Sequence, residues 1–530
     1  MKKIINISLL IAGFILIFTS CTKDLDTVPL DEKVTTAATV FDNPEAYTQV
    51  LAKLYAGLAV SGQEGPAGNG DISGIDEGFG QYLRGWWYHQ ELPTDEAVIS
   101  WNDQTIKDFH YQTWGSSDVF IAAMYYRIFY QIAACNEYIR ETSDAKLNER
   151  GASDDLKAKV KTYRAEARFL RALSYFHAMD LFGDVPFVTE DDKVGNFFPH
   201  QISRTDLFNY IETELKDIES LLIEPRTMYA RADKATAWSL LATIYLNAEV
   251  YTGTPRYTDC ITYCKKIINA GYSLNPDYKN LFLADNDVDN NEVIFAIAFD
   301  GDATRTYGGT NFIIHAAVGG DMNPSDFGIG GGWGGTRTTS AFVDKFPDET
   351  GDIDCRAMFF TDGQNKEIED ISVFTDGYAI TKWKNIQSNG SGGKSMDYPD
   401  TDFPMFRLAD VYLMYAEAVL RGGTGGDPGT ALNYVNLIRE RAYGDESGNI
   451  SANDLTLDFI LDERARELYW ECHRRTDLIR FGKFTGGDYL WPWKGKSSDG
   501  IATDPKYNLF PIPASDIGAN PNLTQNPDYN

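Results

Sequence analysis

Basic residues are scarce in this chain. Its 530 residues carry 48 Lys and Arg against 77 Asp and Glu, a formal net charge of −29. A nucleic-acid partner needs clustered Lys and Arg to neutralise phosphates, so this balance argues against one. Histidine is scarcer still. None of the six His falls in a nucleophile or metal motif. Six cysteines stand at positions 21, 135, 260, 264, 355 and 472. They form no CxxC pair and no His/Cys cluster, which argues against a zinc site. Buried free thiols are the simplest reading, because a chain of this size does not need disulfides to fold. Beyond the N-terminus no run is long and apolar enough to span a bilayer. Aromatics, by contrast, are plentiful: 10 Trp, 30 Tyr and 30 Phe. Most must serve a core. A surplus on loops would suit the apolar faces of sugar rings, and a neutral ligand suits the acidic balance.

The N-terminus carries an address. Lys2 and Lys3 precede an apolar run from Ile4 to Phe18, then Thr19-Ser20-Cys21. A charged start, a short apolar stretch and small residues at its end describe a secretory signal peptide over residues 1–20. A Cys at that position looks like the lipobox of bacterial lipoproteins, with Phe18 where Leu is usual. Cleavage would leave Cys21 lipidated, and the membrane would be reached by that anchor alone. Thr22-Lys23-Asp24-Leu25-Asp26 then resembles a surface-export signal, which predicts an outer-membrane lipoprotein facing outward. An ordinary signal peptide with a chance Cys is the alternative.

Residues 21–43 read as a polar leash, and 44–530 as one body. Asn43 before Pro44 predicts a cap and a helix to Leu58. Seven Gly and Pro66 between 62 and 80 break any regular element, so 61–115 is read as ligand-binding loops. Apolar spacing predicts helices over 118–141, 155–182, 205–222 and 233–250, and a long one over 454–480. Small residues beside large ones recur at Trp238, Leu241, Ala242 and Tyr245, and again at Leu408, Ala409, Tyr412 and Ala416. This is the packing logic of tetratricopeptide repeats, expected mainly over 118–282 and 405–480. Residues 285–405 between them are rich in Gly, Asp, Thr and aromatics with little helical period, and read as an irregular functional insertion. Val293–Phe299 and Tyr378–Trp383 could be strands. The fold class expected is mainly α, a tetratricopeptide-like scaffold with a long loop-rich insertion.

The order of several motifs resembles the SusD/RagB family of outer-membrane glycan-binding lipoproteins. Arg164-Ala165-Glu166-Ala167-Arg168-Phe169-Leu170-Arg171-Ala172 runs on to Asp180-Leu181-Phe182-Gly183-Asp184-Val185-Pro186. Arg231-Ala232-Asp233-Lys234-Ala235, Arg407-Leu408-Ala409-Asp410, Glu463-Arg464-Ala465-Arg466-Glu467-Leu468, Arg474-Arg475-Thr476-Asp477 and Pro511-Ile512-Pro513 follow. Further segments are similar to the starch-binding side of that family: Asp76-Glu77-Gly78, Glu91-Leu92-Pro93-Thr94-Asp95-Glu96, Arg305-Thr306-Tyr307-Gly308-Gly309 and Tyr489-Leu490-Trp491-Pro492-Trp493.

That resemblance implies capture of starch or malto-oligosaccharides for uptake through a TonB-dependent, SusC-like outer-membrane transporter. It also implies a site. An arc of Trp101, Tyr307 and Trp333 would stack on the glucan, and Asp76, Arg84 and Gln104 would take hydroxyls. Trp333 lies within Gly330-Gly331-Gly332-Trp333-Gly334-Gly335, so little local core surrounds it, which favours an exposed platform. Ile99 stands where a second Trp is expected, and Gln104 where Asn is. The arc is then shorter and weaker, or the glucan differs. Trp86 and Trp87 read as core. The resemblance also implies a structural Ca²⁺ held by Asp287, Asp400 and Asp402, with a carbonyl near Tyr398. An EF-hand over Asp285–Glu292 fails, because Asn290 and Ala296 stand where Gly and Glu are needed. Two solvated acidic loops are the alternative. No enzyme is expected: Asp95 and Glu96 are adjacent, whereas a glycosidase pair flanks the scissile bond at about 5–9.5 Å.

Overall fold

The computed structural model describes residues 40–529 apart from 67, 69, 194 and 196. The expected signal peptide, Cys21 and most of the leash lie outside the described residues. The chain divides into a short unit ending at Thr48 and a main unit from Gln49 onward. In the first, Asn43 caps by accepting the Glu45 N–H at 3.0 Å, and helix α1 (Ala46–Ala59) begins.

In the main unit the helices start where short polar side chains can take the free N–H groups of a first turn. Helix α2 (Tyr82–Gln90) is capped by Gln81. Helix α3 (Val119–Glu141) is capped by Asp118, which accepts from the Phe120 and Ile121 N–H groups. Ser153 caps α4 (Asp154–Phe182) and Ser203 caps α5 (Arg204–Ile218). Asp233 and Thr236 form a reciprocal capping box on α6 (Lys234–Leu246). Helix α7 (Tyr257–Ile268) follows. After the insertion and its one longer helix, α8 (Gly309–Ala316), come α9 (Leu408–Leu420), α10 (Pro428–Tyr443), α11 (Leu457–Leu468) and α12 (Arg474–Arg480).

Neighbouring helices pack in pairs: α3 on α4, α4 on α5, α6 on α7, and α9 on α10. Helix α7 also packs on α9, so the repeats on either side of the insertion are spatial neighbours. The insertion closes at its base. Strand Val293–Ile297 pairs antiparallel with Phe403–Arg407, from Val293 opposite Arg407 to Ile297 opposite Phe403, and both strands are buried throughout. The insertion is less irregular than its composition predicts, because it contains α8. The 61–115 region likewise contains α2, so Arg84 sits on a helix rather than a loop.

The helix expected over 454–480 is two helices. Trp470 and Cys472, with φ of +61° and +68°, break it. Two buried carboxylates stabilise the break: Glu96 accepts the Trp470 N–H at 3.3 Å and Glu91 the Cys472 N–H at 2.5 Å.

Buried charge ties these parts together. The Arg407 guanidinium, 1% exposed, meets Glu292 at 2.9 Å, Glu467 at 2.6 Å and Glu471 at 2.6 Å. Glu471 also holds Lys382 at 2.7 Å, and Glu467 holds Arg356 at 3.1 Å. Removing one partner from such a cluster leaves uncompensated buried charge, at about 3–5 kcal/mol. Arg407→Leu is therefore expected to lower the melting temperature markedly, and Arg407→Lys to restore little of it, because an ammonium cannot present a planar fork to three acids. An unchanged melting temperature for Arg407→Leu would refute this account.

Candidate functional site

The Gly-rich loop before α2 and the turn before α8 meet at one point. Gln81 holds them there. Its side-chain oxygen accepts the N–H groups of Arg84 and Gly309, each at 2.8 Å, and its amide donates to the Leu58 carbonyl at 2.6 Å. Gly309 takes φ of +56°, and a Cβ there would lie 2.3 Å from the Phe299 ring, so only glycine fits. Tyr307, two residues earlier, is left 42% exposed. Asp76 folds back on its own loop, accepting the Gly78 and Phe79 N–H groups at 2.8 and 3.1 Å. Arg84 donates to the Tyr307 carbonyl at 2.8 Å and to the Tyr88 hydroxyl at 2.9 Å. Its guanidinium carbon lies 4.5 Å from the centre of the buried Phe312 ring and 5.7 Å from that of Trp101.

Backbone contacts fix the two tryptophans. The Trp333 N–H donates to the His315 carbonyl at 2.7 Å and the Gly335 N–H to the Ala316 carbonyl at 2.7 Å, which ties the glycine loop to the end of α8. Ser100 reaches the same loop, its N–H to the Gly335 carbonyl and its hydroxyl to that of Gly334. The Trp101 indole N–H then donates to the Trp333 carbonyl at 3.1 Å. A Cβ on Gly335 would lie 2.6 Å from the Trp101 ring, so glycine is what lets the two approach. Local glycine thus serves close packing of the loop as well as exposure of the ring.

The result is a row of three partly exposed rings. Trp101 and Trp333 have centroids 6.4 Å apart and planes 42° apart; Trp333 and Tyr307 are 6.4 Å and 70° apart. The three rings do not lie in one plane. Arg84 and Asp76 line the edge of the row, meeting Tyr307 around Gly78. Gln104 is exposed three residues beyond Trp101, with φ of +39°. Among the described residues no hydrogen bond or ring contact joins it to the others. Ile99 is not a gap in this row. It is fully buried, in a two-residue strand paired with Thr336. Trp86 and Trp87 are core, Trp86 stacking on His177 at 3.8 Å. Gln81 and Phe312 support the site without any local sequence signal. Phe374, half-buried with its ring 3.8 Å from where a Cβ on Gly334 would stand, is also beyond what spacing reveals.

The adjacent acids Asp95 and Glu96 are structural. Asp95 is fully buried and bonded twice by Arg474, at 2.7 and 2.8 Å, and once by the Tyr489 hydroxyl at 2.6 Å. Burial would raise its carboxyl, but the Arg474 charge holds it at about 2. Glu91 and Glu96 face each other beside it. Burial pushes Glu91 up to about 7, and burial with the Glu91 charge pushes Glu96 up as well.

Asp287, Asp400 and Asp402 line one pocket of about 620 Å³, together with Tyr229, Asp300 and Lys394. Burial first, then the Asp287 and Asp400 charges, push the Asp402 carboxyl up to about 7. These hard oxygens have the right chemistry for Ca²⁺. They do not form a closed cage: Asp400 accepts the Gly301 and Lys394 N–H groups at 2.8 and 2.6 Å, with the Lys394 ammonium 3.6 Å away. Among the described residues no group of three or more His, Cys, Asp or Glu is arranged to hold a metal ion. Nor, among them, is any helix long and apolar enough to cross a membrane.

The SusD family model matches residues 359–529, and a model described as starch-binding and associating with the outer membrane matches residues 82–246. The chain is 36% identical to the starch-binding protein SusD of Bacteroides thetaiotaomicron, with 96% of each chain covered. It is 26% identical to a SusD-like protein of Bacteroides ovatus, over 66% of this chain and 64% of that one. Among solved structures, surface glycan-binding protein A from Bacteroides fluxus superposes with a TM-score of 0.70 at 22% identity, covering 92% of this chain and all of the other. Surface glycan-binding protein A from Bacteroides thetaiotaomicron in complex with laminarihexaose gives 0.68 at 20% identity, covering 91% and 99%. At those identities the likeness shows the fold, which is mainly α with helical repeats as expected.

The buried acid pair makes stability depend on pH. A carboxyl raised in the folded state binds its proton more tightly than in the unfolded chain. Its stabilising contribution is complete below the ordinary carboxylate range and is lost as pH climbs toward and through about 7. Glu96→Gln keeps the shape and removes one ionisation. The melting temperature of this variant should therefore fall less between pH 5 and pH 8 than that of the wild type. Parallel curves would show that the pair does not titrate in this window.

Proposed function

This chain belongs to the SusD family, and on that premise we propose that it captures starch or malto-oligosaccharides at the cell surface and hands them to a TonB-dependent outer-membrane transporter. In this reading it is an outer-membrane lipoprotein anchored through Cys21, and a binding protein rather than an enzyme. The observation that carries the α-glucan reading is that the Trp101–Trp333–Tyr307 row is not flat, since neighbouring ring planes lie 42° and 70° apart. A sugar ring offers an apolar C–H face to an aromatic and hydroxyls to its rim. A flat strip of rings would suit a straight chain, and a turned one suits the bend of an α-1,4 glucan. Arg84 and Asp76, which meet Tyr307 around Gly78, would take the hydroxyls; Gln104 would join them only on a ligand long enough to reach it. The similarity to a starch-binding relative over nearly the whole chain supports the same ligand. A different glycan in the same role is the second reading. It is favoured by Ile99, which is buried and adds no ring to the platform.

The same reading includes a structural Ca²⁺ beside the platform loops, held by Asp287, Asp400 and Asp402 with a carbonyl near Tyr398. What supports it is the clustering of like charge around Asp402, which a divalent cation would relieve. When bound, the ion would supply only cross-linking of the two acidic loops. Lys394 would then give up its place beside Asp400.

Native gel electrophoresis through amylopectin tests the ligand. Wild type should be retarded and Trp333→Ala should not, because loss of a central stacking ring costs on the order of tenfold in affinity. A folded wild type that runs unretarded would reject the starch reading and leave the family assignment intact. Calcium is tested by melting. An ion bound only by the folded state at a hundredfold excess over Kd stabilises by about 2.7 kcal/mol. Calcium should thus raise the wild-type melting temperature relative to EDTA and leave Asp402→Asn unmoved. Equal melting in calcium and EDTA would remove the ion from the account.

A further inference from the structure

A second concavity lies next to the platform. It has a volume of about 680 Å³ and is walled by α1 on one side, the start of the Gly-rich loop on another, and residues 302–305 on a third. That size is within the range of small-ligand clefts. Its floor is small and apolar, with Ala56 and Gly57 from α1. The rest of its lining is largely polar: Gln49, Gln63, Asp302 and Arg305, with Lys53, Glu64 and Asp71 beside them. Gln49, Gln63, Asp302 and Arg305 are exposed, and among the described residues their side chains make no hydrogen bond or ion pair. Amides and charged groups of both signs beside small apolar residues can serve a sugar, whose hydroxyls meet the polar groups and whose C–H faces meet alanine and glycine.

Two chain segments contribute residues both to the cleft and to the platform. The Gly-rich loop contributes Gly62, Gln63, Glu64 and Gly65 to the cleft, and Asp76 and Gly78 to the edge beside Tyr307. The second segment contributes Asp302, Ala303 and Arg305 to the cleft and Tyr307 to the platform. Arg305 bridges them. Its guanidinium carbon lies 5.8 Å from the centre of the Tyr398 ring, whose phenol interacts with that of Tyr307. Tyr398 and Arg305 thus link Tyr307 to the lining of the cleft.

We propose that this cleft is a further set of sugar subsites, which receives the part of a long glucan that continues beyond Tyr307. The inference rests on the α-glucan reading of the platform and adds to it a preference for chain length. Short oligosaccharides occupy the aromatic row alone; longer ones also fill the cleft, where Gln49, Gln63 and Asp302 take hydroxyls. The lining sets Lys53 and Arg305 against Glu64, Asp71 and Asp302, charges of both signs that can take hydroxyls of a neutral ligand.

Calorimetric titration of the full mature chain with maltotriose and with maltoheptaose tests this. The Gln49→Ala/Gln63→Ala/Asp302→Ala variant changes only exposed side chains, and an unchanged melting temperature will establish that it folds. Maltotriose should bind wild type and variant alike. Maltoheptaose should bind the variant at least about threefold more weakly. Equal maltoheptaose affinity in both proteins overturns the proposal and leaves the platform reading standing. Equal weakening for both sugars also overturns it, because the rim would then act through the platform. Failure of wild type to bind either sugar overturns the α-glucan reading and this extension with it.

Discussion

The architecture depends on one arginine held away from water. Arg407 ends the strand that closes the insertion and immediately precedes α9, so its backbone stands where insertion and repeats meet. Its side chain gathers Glu292 from the opposite strand's edge, Glu467 from the end of α11 and Glu471 from the break before α12. Taking four charges out of water is expensive, and packed apolar groups would often give equal or greater stability. What the cluster supplies is a single permitted arrangement. A fork of fixed geometry meets three acids from three segments, and any slip of strand or helix leaves a charge unpaired. The insertion is long and poor in regular structure, so a base with one allowed register matters more here than in a plain helical array.

The order fixed at that base is passed on to the candidate platform. The break that carries Glu471 also presents the Trp470 and Cys472 N–H groups to Glu96 and Glu91, and Arg474 just beyond it grips Asp95. These acids belong to the stretch that leads into the strand Val98–Ile99 and then Trp101. From the other direction, Gln81 and Phe312 set Arg84 and Tyr307. The rings of the platform therefore stand on two independent supports. They are also joined by their own backbone, since the Trp101 indole spends its only N–H on the Trp333 carbonyl. Little side-chain freedom remains to be lost when a ligand lands, and a fixed arrangement of rings can select a ligand of matching shape.

Much of this is written in local sequence. Helix starts at Asp118, Ser153, Ser203 and Asp233 follow from capping chemistry, because a cap and the N–H it satisfies are two or three residues apart. The paired repeats follow from small residues beside large ones. The site residues Trp101, Tyr307, Trp333, Arg84 and Asp76 came from family resemblance and proved to be neighbours, whereas Gln104 stands apart. What local sequence does not contain is contact across hundreds of residues. Nothing near Trp470 or Cys472 announces that acids at 91 and 96 will stabilise a break there, so apolar period alone runs one helix through it. Ile99 is the same case: a platform position by family resemblance, but a core position once its strand pairs with Thr336. Helix α8 is only eight residues long and lies amid glycine, so periodicity has too short a window to find it.

The charge balance takes on a meaning beside this site. A net charge of −29 repels anionic polymers and is indifferent to a neutral one. On the glycan reading, selectivity must then come from shape: a non-planar set of rings and a few hydroxyl partners, all wet at their edges. Such a surface holds each sugar weakly, because water competes for every polar contact. Weakness is compatible with capture when the ligand is a polymer. Many equivalent segments of one chain raise the effective concentration at a single fixed platform, and a molecule that lets go of one segment is already beside the next. On the proposed function, fast release would also suit a protein that passes its ligand onward, since a tight complex would stall transfer. Rigidity of the platform and modest affinity for the sugar would then be parts of one solution: the first would preserve discrimination between glycans of different shape, and the second would keep the captured chain moving.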